Sequence, residues 1–193
     1  MAKFGIIGNG FVGRATQMFS SEQWEAVVYD IDPKLCVPKG TELSDLKECS
    51  VVFICVPTPE ALDGTCDTSI VDRCITSLKE IGVSEIIVRS TVPVGYCESK
   101  KVNFLPEFLT ERNWQQDVKN TKYWILGKVN YNPKILDIFQ NILKHSGLNG
   151  TITICNTTEA EMVKYTRNTF LATKVSFFNE IFKFLGCAGL ILM

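Results

Sequence analysis

Gly8-Asn9-Gly10-Phe11-Val12-Gly13 follows a short apolar run and opens a helical pattern. Each glycine has a reason in such a loop: Gly8 allows a tight turn, Gly10 lets an anion come up to the backbone, and Gly13 lets the helix pack on the strand, with Asn9, Phe11 and Val12 completing the turn. The first N–H groups of the helix have no partner of their own and attract phosphate. Asp30 closes the second apolar run, 22 residues after Gly8. An acid at that point accepts both hydroxyls of a ribose and repels a 2′-phosphate, so the expected ligand is NAD rather than NADP, with Asp32 and Lys34 close by. A glycine-rich turn that binds nothing is the ordinary alternative, and the glycine pattern alone is weak. Strand, loop and acid in register make the conjunction strong.

Four further groups could take part in chemistry. Val56-Pro57-Thr58 and Ser90-Thr91 end the third and fourth apolar runs, at the edge where an open α/β sheet binds dinucleotides. Hydroxyls there can hold the nicotinamide side, although Ser-Thr before Val-Pro is also a common strand exit. Glu107 and Glu111 are four apart and share a face if their segment coils, which would let two carboxylates divide base and orienting roles; a solvated acidic turn is the alternative. Lys164 and Asn168 are four apart on a helical pattern, where an ammonium and an amide can stabilise an oxyanion, or simply meet water.

The elements that must position these groups are legible as alternation. Apolar runs at Phe4–Ile7, Ala26–Tyr29, Val51–Val56, Ile86–Val88 and Val102–Leu105 read as buried parallel strands, and Phe11–Phe19 and Ile70–Ile81 carry helical spacing. A second unit follows, with strands at Tyr123–Leu126 and Thr151–Cys155 around a helix at Pro133–His145, and is expected to extend the same sheet. The fold class is α/β, a doubly wound parallel sheet of the Rossmann type followed by the start of a long helix. The expected division is 1–157 for the nucleotide-binding domain, 158–185 for the helix and 186–193 for an atypical tail. The helix is apolar on more than one face between Phe170 and Leu185, which calls for burial against a partner.

Composition narrows the function. With 20 Lys+Arg against 21 Asp+Glu the chain has no excess of cations for nucleic acid, nor a basic patch for a membrane surface, and 46% apolar residues are too many for disorder. Eight cysteines lie scattered without a C-x-x-C pair and there is one histidine, so no metal site is expected and the thiols read as reduced. His145 at a helix end reads as a capping cation. No signal-peptide pattern opens the chain and the apolar tail is too short to span a bilayer, so a cytoplasmic location is expected.

Cys55-Val56-Pro57-Thr58-Pro59, Ser90-Thr91-Val92-Pro93-Val94-Gly95, Pro106-Glu107-Phe108-Leu109-Thr110-Glu111 and Glu161-Met162-Val163-Lys164-Tyr165-Thr166-Arg167-Asn168-Thr169-Phe170 together resemble the UDP-glucose/GDP-mannose dehydrogenase family, and among its members the UDP-glucose 6-dehydrogenases most. The resemblance implies oxidation of a primary alcohol on a nucleotide sugar to a carboxylate in two NAD-dependent steps. It implies that the Val56-Pro57-Thr58 loop and Ser90 face the cofactor, that Thr91 holds a water, that Glu107 assists water attack on a covalent intermediate and that Glu111 contacts substrate and cofactor. It further implies that Lys164 and Asn168 stabilise the oxyanion, and that the long helix contributes to a homodimer contact. The family's cysteine nucleophile stands in a Gly-Gly-x-Cys-x-x-Lys-Asp type segment, which is absent from this sequence; Cys187 lacks the flanking Lys and Asp and is not taken for it. The favoured expectation is the N-terminal half of a nucleotide-sugar dehydrogenase. A non-catalytic NAD-binding module that pairs with a complete dehydrogenase is the alternative, and a small hydroxyacid dehydrogenase, which shares a glycine loop, is disfavoured by the Glu107 and Lys164 segments.

Overall fold

The computed structural model describes residues 1–129 and 133–187. Among them, β1 (Ala2–Ile7), β2 (Trp24–Tyr29), β3 (Val52–Ile54), β4 (Ile86–Val88), β5 (Asn103–Phe104), β6 (Tyr123–Lys128) and β7 (Thr151–Asn156) form one sheet in the order β2-β1-β3-β4-β5-β6-β7. The helices are α1 (Phe11–Gln17), α2 (Ser69–Glu80), α3 (Tyr96–Lys100), α4 (Trp114–Lys119), α5 (Pro133–Ser146) and α6 (Thr157–Cys187). β1 lies between β2 and β3, so the chain leaves it toward both sides of the sheet and a crevice opens at the carboxyl edge. Of the tail expected at 186–193, residues 188–193 lie outside the described residues.

The central strands β3 and β4 are short and wholly apolar because both of their faces are covered, whereas β7 at the sheet edge is mostly exposed. Phe4, Ile6 and Phe53 point to one side, where Phe19 stands with ring centroids 5.7 Å from Phe53, 5.6 Å from Trp124 and 5.9 Å from Phe139. These tilted and edge-on contacts are the favoured aromatic geometry. Ile7, Val52 and Ile54 point to the other side, against Val71, Ile75 and Leu78 of α2 and Ala160 of α6. Helix α2 ends as its sequence demands: Gly82, at φ +87°, donates to Lys79 and the following Val83 to the Leu78 carbonyl at 2.9 Å, which satisfies the last carbonyls.

One pairing departs from the all-parallel expectation. β5 and β6 are antiparallel, joined at Phe104 and Gly127, while every other pair is parallel. The excursion through Pro106 and α4 starts and finishes at the carboxyl edge of β5, so the chain re-enters the sheet running backwards. Consequently β7 ends at the opposite edge, and α6 starts there and climbs back. A reciprocal cap sets its start: Glu159 N–H donates to Asn156 Oδ1 at 2.8 Å and Asn156 N–H to Glu159 Oε2 at 3.0 Å. Thr157, Ala160, Glu161 and Lys164 are its buried residues, one stripe over the first two turns. Beyond them Phe170, Phe177, Phe178, Phe182 and Phe184 are exposed in the single chain, so the second half of α6 presents an uncovered apolar surface. No helix among the described residues is long and apolar enough to cross a membrane.

Candidate active site

The glycine loop is fixed by contacts that no side chain could survive. Gly8 has φ +91°, and a Cβ on it would lie 2.8 Å from the Cys55 carbonyl oxygen; a Cβ on Gly13 would lie 2.0 Å from the Gly8 carbonyl oxygen. A Cβ on Gly10 meets nothing within 4 Å, so this is the open side of the turn, where a phosphate can approach. Asp30 is held rather than free: Oδ2 accepts the Asn9 N–H at 2.6 Å and Oδ1 the Asp32 N–H at 2.9 Å. Each oxygen keeps a lone pair for a ribose hydroxyl. The Asn9 side chain braces the loop, donating to the Leu35 carbonyl and accepting from Gln17, each at 2.6 Å. Phe11 and Val12 are half-buried, and Val12 packs on the core beneath α1. Beside Asp30 a cavity of about 510 Å³ is lined by Ile31, Leu43, Val56, Pro57, Ile70 and Arg73 among others. Apolar walls next to a fixed acid and a side-chain-free turn fit an adenosine and its pyrophosphate.

Moving along the carboxyl edge, the loops after β3 and β4 are stitched together. The buried Ser90 hydroxyl donates to the Val56 carbonyl at 2.6 Å and the Thr58 hydroxyl to the Thr91 carbonyl at 2.7 Å. Cys66 donates its S–H to the same Thr91 oxygen at 3.7 Å. Val56, Pro57, Thr58, Ser90 and Thr91 thus form one rim next to the cavity.

The next loop carries Glu107. Lys164 Nζ donates to Glu107 Oε1 and to the Glu107 main-chain oxygen, both at 2.5 Å, and Leu109 N–H donates to Oε2 at 2.8 Å. The two side chains are only 9% and 5% exposed, so this is a buried ion pair between residues 57 apart in the chain. Such a pair is tolerated because both partners gain further hydrogen bonds. Phe108 lies beneath two cations, with Lys164 at 5.7 Å and Arg167 at 4.4 Å from its ring centre. The segment 105–110 is irregular and not helical, so Glu111 does not share a helical face with Glu107; it stands on an exposed turn. Asn168 is one turn beyond Lys164 and exposed.

Sequence reasoning missed Arg89 and Glu161. Arg89 is 3% exposed at the end of β4, its guanidinium 5.3 Å from the Phe19 ring, with Nε and Nη1 lacking hydrogen-bond partners among the described residues. Burial pulls its pKa down, opposed by Cys55 and Glu107. A basic residue directly before Ser90 was the available signal. Burial disfavours the thiolate at five cysteines: it pushes Cys49 up to about 12 and Cys74 up to about 11, and also raises Cys55, Cys97 and Cys155. All eight cysteines are free. His145 Nδ1 lies 2.8 Å from the Asn141 carbonyl oxygen in the last turn of α5.

Comparison with known proteins places the chain in a family. The family model described as "UDP-glucose/GDP-mannose dehydrogenase family, NAD binding domain" matches residues 39–146, and the model of the same family's central domain matches residues 158–190. A Methanocaldococcus jannaschii protein, "Uncharacterized protein MJ1054", is 35% identical over 160 residues, covering 74% of this chain and 18% of that protein. "Putative UDP-glucose 6-dehydrogenase YtcA" of Bacillus subtilis is 32% identical over 154 residues, covering 72% of this chain and 36% of the relative. The crystal structure of a ternary complex of GDP-mannose dehydrogenase from Pseudomonas aeruginosa superposes with TM-score 0.78 at 23% identity over 92% of this chain and 52% of that one, which establishes the shared fold. The chain therefore spans about half or less of the length of the proteins it matches, with 18% of MJ1054, 36% of YtcA and 52% of the crystallised chain covered. The cofactor that goes with the matched domain is NAD, and the glycine loop, Asp30 and the cavity beside them suit it. By its NAD-binding fold and by the match of more than half its residues, the chain belongs to the UDP-glucose/GDP-mannose dehydrogenase family.

Proposed function

We propose that this chain is the cofactor-binding part, with the first stretch of the central helix, of an NAD-dependent nucleotide-sugar dehydrogenase that oxidises a primary alcohol to a carboxylate, UDP-glucose being the first substrate to test. The observation that carries this reading is the buried Glu107–Lys164 pair beside the Thr58, Ser90 and Thr91 rim. When bound, NAD supplies an acceptor for hydride at each of the two oxidations. Gly8, Gly10 and Gly13 bring the backbone to its phosphates, Asp30 takes the ribose, and Val56, Pro57, Thr58 and Ser90 line its path. Of the three N–H groups of the Lys164 ammonium, two donate hydrogen bonds to Glu107, one to its carboxylate and one to its main-chain oxygen, leaving the third for an alkoxide or tetrahedral oxyanion. Glu107 retains lone pairs with which to take a proton from an attacking water held by Thr91. Glu111 and Asn168, both exposed, are assigned to substrate contact and, for Glu111, cofactor contact. The division 1–157, 158–185 and 186–193 goes with this reading, as do a cytoplasmic setting, where free thiols persist, and a homodimer contact through 158–185.

Titration of the 193-residue chain with NAD and then UDP-glucose, following NADH at 340 nm, tests it. The reading expects NAD binding in the isolated chain, and NADH formation when the remainder of the family's site is supplied. Absence of NAD binding would sink it. A second reading, a non-catalytic NAD-binding module that pairs with a complete dehydrogenase, is favoured by the exposed apolar half of α6. It expects NAD binding without NADH formation under any supplementation.

A further inference from the structure

Glu161 is a fully buried carboxylate that the chemistry above does not use. It stands on α6 three residues before Lys164, a rise of ~4.5 Å on the same stripe. Its Oε2 accepts the Gly95 N–H at 2.5 Å and its Oε1 the Cys97 N–H at 2.8 Å. These amides close the Ser90–Gly95 loop and open α3, and they are 66 and 64 residues away in sequence. A carboxylate at 0% exposure costs desolvation that an aliphatic side chain would avoid, so its presence has to be matched by partners only an acceptor can hold. Two N–H groups on the two oxygens of one planar group do so, and they fix angle as well as distance.

The consequence concerns both halves of the site. At its start the Ser90–Gly95 loop is tied to the β3 loop, through Ser90 to Val56 and Thr58 to Thr91. At its far end it is tied to α6 through Glu161, so Thr91 lies between two fixed points. Thr157, which donates to Glu98 at 3.2 Å, and Ala160, which packs where a Cβ on Gly127 would fall 2.8 Å away, already dock the first turn of α6. Those two partners, Glu98 and Gly127, lie outside the loop that carries Thr91. Glu161 also joins the two matched regions of the chain, since Gly95 and Cys97 lie in the NAD-binding match and Glu161 in the central-domain match.

We propose that Glu161 is a positioning residue that locks the loop bearing Ser90 and Thr91 to the helix bearing Lys164, so that the two sides of the pocket keep one spacing. The proposal rests on reading Thr91 and Lys164 as members of one site, and its test needs no ligand. The full chain, labelled with ¹⁵N and with ¹³Cε-lysine, is compared with E161Q, whose amide group turns a donor toward one of the two N–H groups. The expected result is exchange at Gly95 and Cys97 faster by about tenfold or more, with the Thr91 amide and the Lys164 ε-carbon both shifting while Gly10 and Asp30 stay in place. Faster exchange at Gly95 and Cys97 with Thr91 and Lys164 unmoved would make Glu161 an anchor of α3 alone and overturn the proposal. Should E161Q fail to fold, E161D keeps the charge but is one methylene short, and the same signals decide in the same way. Because no NAD or nucleotide sugar is present, failure of the functional reading and failure of this one are separate results.

Discussion

The glycine loop and the Glu107–Lys164 pocket share the carboxyl edge of one sheet but are assembled by opposite means. In the loop, Gly8, Gly13 and Asp30 are held by main-chain contacts, and the longest side-chain bond within it, from the Asn9 amide to the Leu35 carbonyl, spans 26 residues. In the pocket, two charges 57 residues apart meet out of water, and each depends on the other. The loop is therefore a local device, sensitive to volume. The pocket is a long-range device, sensitive to charge.

Breaking the pocket should show the largest effect. K164M takes the paired ammonium from Glu107 and leaves the Leu109 amide as its hydrogen-bond donor, and is expected to cost about 3–5 kcal/mol in urea unfolding. Pairing it with E107M should recover most of that loss, because removing both charges removes the uncompensated burial. If the single variant unfolds no more easily than the parent, the pair is not buried in solution. Next comes the loop: G13A must move the Gly8 carbonyl and is expected to destabilise by ~1–3 kcal/mol, whereas G10A should leave stability within ~0.5 kcal/mol. Both should weaken NAD binding in calorimetry, G13A by distorting the turn and G10A by filling the phosphate side. Equal stability losses in the two would show that the turn is looser than the structure has it.

Specificity sharpens the contrast further. D30N removes the repulsion of a 2′-phosphate, and the preference for NAD over NADP in calorimetry should fall by about tenfold. K164M should leave that ratio unchanged, since the pocket takes no part in reading the ribose. The smallest effect concerns acid. Burial would raise the Asp72 carboxyl, but hydrogen bonds from Lys100, Tyr96 and Thr68 outweigh it and hold its pKa below the ordinary value. A depressed carboxyl stabilises the fold above its unfolded pKa, ~3.9, and that contribution is lost as pH falls toward the folded value. D72N should therefore flatten the melting temperature between about pH 5 and pH 3, and an unchanged slope would assign the acid limb to other carboxylates.

How much could be read beforehand follows from the same contrast. The glycine loop, Asp30, the strands and α2 were legible because each rests on spacing within a few turns, and the Asn156-Thr157-Thr158-Glu159 cap was legible in principle for the same reason. Glu107 and Glu111 would share a face only if their segment coiled, and it does not: a four-residue spacing places side chains together only in a helix, and 105–110 is irregular. Lys164 and Asn168 do follow one another along α6, yet one is buried and the other exposed, since the stripe leaves the sheet after Lys164.

The alternation of strand and helix, the glycine loop and the acid that closes β2 follow from the amino-acid order, because hydrophobic periodicity and glycine stereochemistry are properties of neighbouring residues. The tertiary structure alone decided that β6 runs backwards beside β5. That reversal starts α6 at the far edge and carries Lys164 up to Glu107 and Glu161 up to Gly95 and Cys97. Burial and pairing between residues 57 to 66 apart depend on which way a strand enters the sheet, and no local pattern encodes that direction.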